Sequence, residues 1–379
     1  MKVRVHNAIS EIPQAQWNRL VQDNHPFLRH EFLHAMEEHL CVGETFGWLP
    51  RHLGVYDDND ALLGAMPLYE KHNSYGEFVF DHAWADAYLR NGLSYYPKLV
   101  SAIPYTPAQG QRLLVRPELQ AAIYPLLLDR AIQLTRQLGC SGFHCLFPLP
   151  EEHRFLGQQL LSRHDCQFHW RNHHYRDFES FLSRLNAKKR KNIRQERRRA
   201  ASSGVVIRRL DGHSATAQDW RDFTRFYEQT FREKWGMATF NYEFFSTVAR
   251  QMPDQIVLVL ADIEGRCIAG ALMYRSDRTL YGRHWGCVLQ IDALHFEVCY
   301  YQGIEYCIEQ GLELFEPGAQ GEHKMARGFL PVRTKSSHWI DDERFREPIA
   351  RYVQHECAAV SDYIATLAAS SPYRQEPSS

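Results

Sequence analysis

The chain has 379 residues, 44% of them apolar and 13% aromatic, which is enough to bury one large core or two ordinary ones, and the length favours two domains. A formal charge of −1 excludes a protein that binds nucleic acid over its whole surface, although a balanced total can hide local segregation. No window approaches the roughly 20 apolar residues of a membrane span, and the opening MKVRVHNAIS has no long apolar stretch, so the expectation is a soluble, unexported, cytoplasmic protein with no membrane span.

The elements begin with a hairpin. LGVYDDNDALLGAMPLYE (53 to 70) reads as an apolar strand, an acidic turn and a strand bearing Gly64-Ala65, because two apolar runs joined by a short polar turn pair with each other. FVFDHAWADAY (78 to 88) follows as a further aromatic strand carrying Asp81, His82 and Asp86. The Pro- and Tyr-rich stretch NGLSYYPKLVSAIPYTPAQGQRLLV (91 to 115) reads as an inserted loop. An amphipathic helix, ended at Gly139, and a short strand are expected over 124 to 148. Over 177 to 204, Phe178, Phe181, Leu182 and Leu185 fall at helical spacing and Gly204 is placed to end the helix, so the segment reads as a helical connector.

The same plan then recurs. LVLADIEGRCIAGALMYRS (258 to 276) matches the first hairpin, with Gly270-Ala271 aligned to Gly64-Ala65. LYGRHWGC (280 to 287), with Arg283 and His284, is read as the counterpart of 78 to 88, and a helix ended by Gly311 leads to a short strand. The tail SSPYRQEPSS (370 to 379) is small and polar and reads as disordered. The expected organisation is a first lobe over 1–175, a basic helical connector over 176–204, a second lobe over 205–360 and a flexible tail over 361–379.

Nine cysteines are scattered singly, with no paired CxxC framework, so reduced thiols packed as small hydrophobes are expected. Cys299 and Cys307, eight residues apart on one apolar helix face, fit that reading better than nucleophilic chemistry. No serine-hydrolase elbow, P-loop, HExxH or GxGxxG occurs, so the common nicotinamide and ATP sites have no support.

Three constellations carry chemistry. KKRKNIRQERRR (188 to 199) sets eight cations against Glu196 alone. As a helix it presents Arg190, Arg194, Arg197 and Arg198 on one face, which either meets an anion such as a phosphate-bearing donor or is neutralised by acidic neighbours. FEPGAQGEHKMARGF (315 to 329) follows a strand end and gathers Glu316, Gln320, Glu322, His323, Lys324 and Arg327 between Gly318, Gly321 and Gly328. It supplies a proton acceptor and oxyanion stabilisers, or else an Arg–Glu network that only holds the loop. Asp81, His82 and Asp86, with Arg283 and His284 in the second lobe, are expected to line a substrate cleft. A metal is not expected, because adjacent Asp81 and His82 on a strand point to opposite faces. His295 and Glu297 near the start of a helix read as capping residues, with Glu297 favoured there by the helix dipole and kept as a substrate-binding candidate.

VFDHAWADAY, KRKNIRQERR, LYGRHWGC, LHFEVCYYQGIE and EPGAQGEHKMARGF together resemble a bacterial FemAB-like family over roughly residues 25 to 355. The resemblance implies an α/β (α+β) fold of tandem GNAT-like lobes, each a mixed, largely antiparallel sheet flanked by helices. More distantly it implies Fem-type ligases, which move an amino acid from aminoacyl-tRNA onto a peptidoglycan precursor amine. Lys324 sits where their closing motif has a lysine before a glycine-aromatic pair, and the basic run matches the segment before their second lobe. GNAT enzymes that use acetyl-CoA carry a Q/RxxGxG/A phosphate loop, where this chain has the glycine-free VLQIDA (288 to 293).

The expectation is an acyl- or aminoacyl-transferase acting on an amine, with a cell-wall precursor as acceptor. No tightly bound cofactor is expected, and the donor is either aminoacyl-tRNA or acyl-CoA. Glu322 or His323 would be the base and Lys324 or Arg327 the oxyanion stabiliser, while Lys188, Arg190, Lys191 and Arg194 would hold the donor's phosphates. The alternatives are an acetyl-CoA-dependent N-acetyltransferase and a non-catalytic protein that recognises a cell-wall precursor or RNA.

Overall fold

The computed structural model describes all residues except Lys234, Trp235, Gln320 and 375–379. The chain divides into two compact units, one formed by 1–166 with 333–363 and the other by 167–332 with 364–379.

In the first unit, strands Lys2–His6, His52–Tyr56, Leu62–Met66 and Leu114–Val115 form an antiparallel sheet in that order. A second sheet runs from Trp48–Pro50 through Tyr69–Lys71, Lys98–Ser101 and Gly142–Leu146 to the second half of Leu330–Ile340. Its one parallel pair joins Lys98–Ser101 to Gly142–Leu146, and the helix Gln120–Gln137 connects the two. Ile123, Leu127 and Ala131, one helical turn apart, bury with Leu53, Val55, Met66 and Phe143 in one core. Residues 333–363 join this unit rather than the expected 205–360 lobe for a packing reason. Phe345, Ile349 and Val353 recur every four residues on the helix Glu343–Ala369 and bury with Trp84, Tyr88 and Tyr95, the Phe345 and Tyr88 rings stacking at 4.0 Å.

In the second unit the sheet order is Val206–Leu210, Ile256–Ile263, Arg266–Arg275, Thr279–Cys287 and Leu314–Glu316, then the end of Leu161–Arg171. All neighbours are antiparallel except Thr279–Cys287 with Leu314–Glu316. Helices Ala217–Glu233 and Tyr242–Gln251 bury Phe223, Phe226, Phe244 and Phe245. The mixed, largely antiparallel α/β class read from the sequence is the one observed.

The aligned hairpins form in both units, and the register explains their shared glycine. Gly64 pairs with Val55 and Gly270 with Leu260. A Cβ at Gly64 would lie 2.6 Å from Ile123 Cγ2, and one at Gly270 would lie 2.8 Å from Leu260 Cδ2 and 3.2 Å from Phe223 Cδ2. In each unit the missing side chain lets a helix close onto the hairpin.

Three expectations are corrected. Residues 78 to 88 are not a strand: His82–Arg90 is a helix. The counterpart of Thr279–Cys287, parallel to the strand after the connecting helix, is Lys98–Ser101, so the stretch read as an inserted loop holds that strand and Leu114–Val115. Pro67 obscures the correspondence. It separates Leu62–Met66 from Tyr69–Lys71, where the second unit has the unbroken Arg266–Arg275, because a proline cannot donate to the ladder. The connector is also two helices, Phe178–Arg184 and Ala187–Ser202, with Asn186 capping the second through Lys189 N at 3.0 Å. The tail is built as far as Arg374, and Tyr373 Oη donates to Gly328 O at 2.7 Å; the remainder of the tail lies outside the described residues. Among those described, no helix is long and apolar enough to cross a membrane.

Candidate active site in the second unit

The expected closing loop folds into a short 3-10 turn, Glu322–Arg327, between Gly321 at φ 103° and Gly328 at φ 93°. Both lie in the left-handed region that favours glycine, and a Cβ at Gly321 would come within 2.5 Å of the His323 ring. The turn buries Lys324 and Arg327 and leaves Glu322 and His323 exposed. Gln320 lies outside the described residues.

Lys324 Nζ donates to Gly318 O at 2.8 Å and Ala319 O at 3.2 Å. Burial, helped by the nearby Arg283 guanidinium, pushes its ammonium down to about 8, while Cys299 acts in the opposite sense. Arg283 owes its place to a register shift between Leu272 and Met273, which pair with His284 and Gly282 and leave Arg283 as the extra residue of a bulge. Burial pushes its guanidinium down to about 10 against the opposing pull of Glu316. His284 is enclosed by the rings of Tyr227, Phe240 and Phe245, at 5.0, 5.4 and 6.1 Å. Burial and the adjacent Arg283 hold its imidazole well below the usual range, so it serves as part of an apolar wall.

The helix facing this loop changes pitch. Leu294–Phe296 is α-helical, Glu297–Tyr301 is a π-helix and Gln302–Gln310 is α-helical again, and π segments are frequent at functional sites. Successive residues of the π turn reach separate site groups. Glu297 takes Arg197 Nη2 at 3.0 Å, and Cys299 lies within electrostatic reach of Lys324. Tyr300 Oη meets His323 Nε2 at 2.9 Å, and Tyr301 Oη donates to Glu196. Burial raises the Cys299 thiol far above its ordinary value, so it is protonated and unreactive. The His323 imidazole is lowered by partial burial and by Lys324 and Arg327, and is therefore neutral near pH 7.

Arg327 is already engaged. It donates to His323 O and to Glu196 Oε1, both at 2.7 Å, and lies 3.3 Å over the Phe296 ring. This favours the loop-holding reading for Arg327. The basic helix is partly neutralised in the same way. Arg197 pairs with Glu297 and Glu305, Arg199 with Asp292, and Arg194 with Glu179. Lys188 and Lys191 are exposed and Arg190 is half-buried. The expected face of Arg190, Arg194, Arg197 and Arg198 is therefore not a uniform anion surface. Glu297, expected to touch substrate, is buried beneath Arg197 and Gln302.

Asp81, His82 and Asp86 belong to the first unit and do not act as a set. Asp81 is buried, whereas His82 and Asp86 are exposed, with His82 stacked on Phe80 at 5.9 Å. Asp81 pairs with Lys98 and accepts from Tyr95 Oη at 2.6 Å and Ser74 Oγ at 2.7 Å. Lys98 also donates to Glu77 at 2.8 Å. The network continues from Tyr95 to His144 at 3.4 Å, to His338 at 2.7 Å and to Ser336 at 2.7 Å. Burial alone would raise the Asp81 carboxyl, but Lys98, His144 and Tyr95 together outweigh it and hold the group well below the usual carboxylate range. Sequence reasoning missed Lys98, Tyr95, His144 and His338 here, and Tyr300, Tyr301 and Phe296 in the second unit. The adjacent tyrosines of CYYQG and the lone acid of the basic run were the available signals.

The FemAB-like family, described as peptidoglycan biosynthesis/recognition, matches residues 8–375. The chain belongs to that family. No curated protein matches it, and the likeness to solved structures is one of fold. The crystal structure of FemX aligns with a TM-score of 0.54 at 11% identity, over 92% of this chain and 100% of that one. The C-terminal domain of a protein named as a lysylphosphatidylglycerol synthetase from Agrobacterium fabrum aligns with a TM-score of 0.53 at 8% identity, over 93% and 98%. A protein of unknown function from Bacteroides thetaiotaomicron gives 0.52 at 11% identity, over 90% and 100%.

Proposed function

We propose that this FemAB-like chain transfers an acyl or aminoacyl group to an amine, with a peptidoglycan precursor as acceptor and Lys324 as the cation at the reacting carbonyl. The observation that carries the reading is the buried Lys324 ammonium, fixed by two backbone carbonyls beside a neutral imidazole. Attack by a neutral amine forms the new C–N bond and places negative charge on the carbonyl oxygen, where a desolvated ammonium is most effective. The proton lost by the attacking nitrogen goes to His323 or Glu322, and collapse breaks the donor's acyl bond as its leaving group is protonated. Arg327 and Glu196 position the turn that presents Lys324, and Arg283 helps set its charge. Positioning by this turn supplies part of the rate.

Aminoacyl-tRNA fits the donor role better than acyl-CoA. The loop 288–293 contains no glycine, and only three α-helical residues follow it before the π turn, so the backbone offers a poor pyrophosphate cradle. The test is transfer of a labelled amino acid from aminoacyl-tRNA to a peptidoglycan precursor, run beside acetyl-CoA, with Lys324→Met and the Arg190→Glu/Arg194→Glu pair. Label appearing on the precursor and lost in Lys324→Met supports the proposal. Turnover with acetyl-CoA alone would move the chain to the N-acetyltransferases. Saturable precursor binding without turnover by either donor would make it a recognition protein. Donor affinity unchanged at low salt in the double reversal would remove Arg190 and Arg194 from the donor site.

A further inference from the structure

Tyr300, in the π turn, has a ring gripped on two sides. It stacks on Phe296 with centroids 6.2 Å apart and meets Phe329 edge-on at 5.5 Å, so its phenol oxygen is fixed in place. The residue is 5% exposed, and among the described residues that oxygen has one hydrogen-bond partner, His323 Nε2 at 2.9 Å. Burial pushes the ionisation of the phenol far up, with Cys299 acting in the same sense and Arg327 against it, so the group is an O–H and not a phenolate.

One hydrogen decides what this pair can do. A neutral imidazole has one N–H and one lone pair, on different nitrogens. If Nε2 carried the hydrogen it would donate to the Tyr300 oxygen, and the buried Tyr300 O–H would be left without an acceptor, which is costly away from water. If Nε2 carries the lone pair, Tyr300 donates to it and both groups are satisfied. The hydrogen then sits on Nδ1.

The doubly protonated ring is disfavoured by partial burial and by Lys324 and Arg327, and in that state too the Tyr300 O–H would lose its acceptor. The Nδ1 edge, by contrast, is uncovered. A side chain at Gly321 would set its Cβ 2.9 Å from Nδ1 and 2.5 Å from Cε1, and the glycine leaves that space open beside an exposed ring.

We propose that Tyr300 is a positioning residue that locks His323 as the Nδ1–H tautomer, so that His323 meets the substrate as a neutral hydrogen-bond donor and not as a base. A peptide carbonyl or carboxylate oxygen suits a donor of this kind. Within the transfer reading, on which this rests, the lone pair that His323 would need is already taken by Tyr300. The proton lost by the attacking nitrogen therefore passes to the Glu322 carboxylate in the same turn, the N–H bond breaking as the O–H bond forms.

The experiment is heteronuclear NMR of the full chain isotope-labelled at histidine, with the His323 ring signals assigned by their loss in His323→Asn and read at a pH where the imidazole is neutral. The ring-nitrogen shifts should show the Nδ1–H form in the wild type and move towards the Nε2–H form, which free histidine favours, in Tyr300→Phe. This readout needs no turnover, so it decides the tautomer even if no donor and acceptor pair supports transfer. Where transfer occurs, His323→Asn, whose amide nitrogen replaces Nδ1–H but cannot take a proton, should keep the rate to within about tenfold, whereas Glu322→Gln should lose about 10²–10⁴. Should Tyr300→Phe melt below the wild type, the wild-type tautomer alone carries the test. An Nε2–H or doubly protonated His323 in the wild type, an unchanged tautomer in folded Tyr300→Phe, or a loss in His323→Asn as large as in Glu322→Gln would each overturn the proposal.

Discussion

Lys98 in the first unit and Lys324 in the second are both removed from solvent, at 0% and 3% exposure, but their surroundings differ in kind. Lys98 lies between Glu77 and Asp81, which together hold its ammonium above the ordinary value despite burial. Lys324 is held by backbone carbonyls and faces Arg283, which, after burial, lowers it further. A buried cation with two carboxylates is a structural tie whose loss strands the acids. A buried cation held only by dipoles has its charge available for a partner that arrives later. The comparison fits fold maintenance for the first network and the proposed chemistry for the second.

The largest effect that would break this contrast is on stability. Lys98→Ala leaves Asp81 and Glu77 buried without their cation, and should cost about 3–5 kcal/mol in urea-induced unfolding. A loss below roughly 1 kcal/mol would mean that the network is not structural. Lys324→Met removes a desolvated charge that no carboxylate depends on, so its unfolding free energy should stay within about 1 kcal/mol of the wild type. Its transfer rate should fall by about 10²–10³. Equal destabilisation by both substitutions would erase the distinction.

Smaller effects probe the duplication. Gly64→Ala places a methyl 2.6 Å from Ile123 Cγ2 and 3.0 Å from Val115 Cγ2, both on β-branched side chains, and should cost about 1–3 kcal/mol. Gly270→Ala meets the end of the Leu260 side chain at 2.8 Å, which can turn aside, so its cost should lie near the bottom of that range. A reversed order in thermal melts would mean that the two hairpins are not closed by their helices in the same way.

How much of this was legible in the sequence follows the range of the interactions involved. The hairpins, the glycines that end helices at Gly139 and Gly311, and the clustering of His323, Lys324 and Arg327 are local, and local patterning reported them. Lys98 was lost because its strand lay in a stretch whose prolines and tyrosines read as a loop, and Asp81 looked like a strand residue because nothing nearby showed that Phe345 and Ile349 would cover its helix. The engagement of Arg327 depends on Glu196, which lies 131 residues away. In the basic run that acid looked like an isolated exception. Spacing alone could not show that it anchors an arginine from the other end of the unit.

The finest test is a pH profile, because titration only scales the rate by the fraction of enzyme in the active charge state. The Lys324 ammonium is lowered to about 8. If the cation stabilises the oxyanion, the alkaline limb halves as pH passes that value and falls about tenfold for each further unit. If neutral Lys324 were instead the base, the limb would rise over the same interval. Lys324→Arg separates the two, since a guanidinium stays charged throughout: any activity it retains should lose the alkaline fall. The stability profile has its own sign. A lysine lowered in the folded state binds fewer protons there than in the unfolded chain, so unfolding free energy should rise with pH from about 8 towards the ordinary lysine value of about 10.4, and this rise should vanish in Lys324→Met.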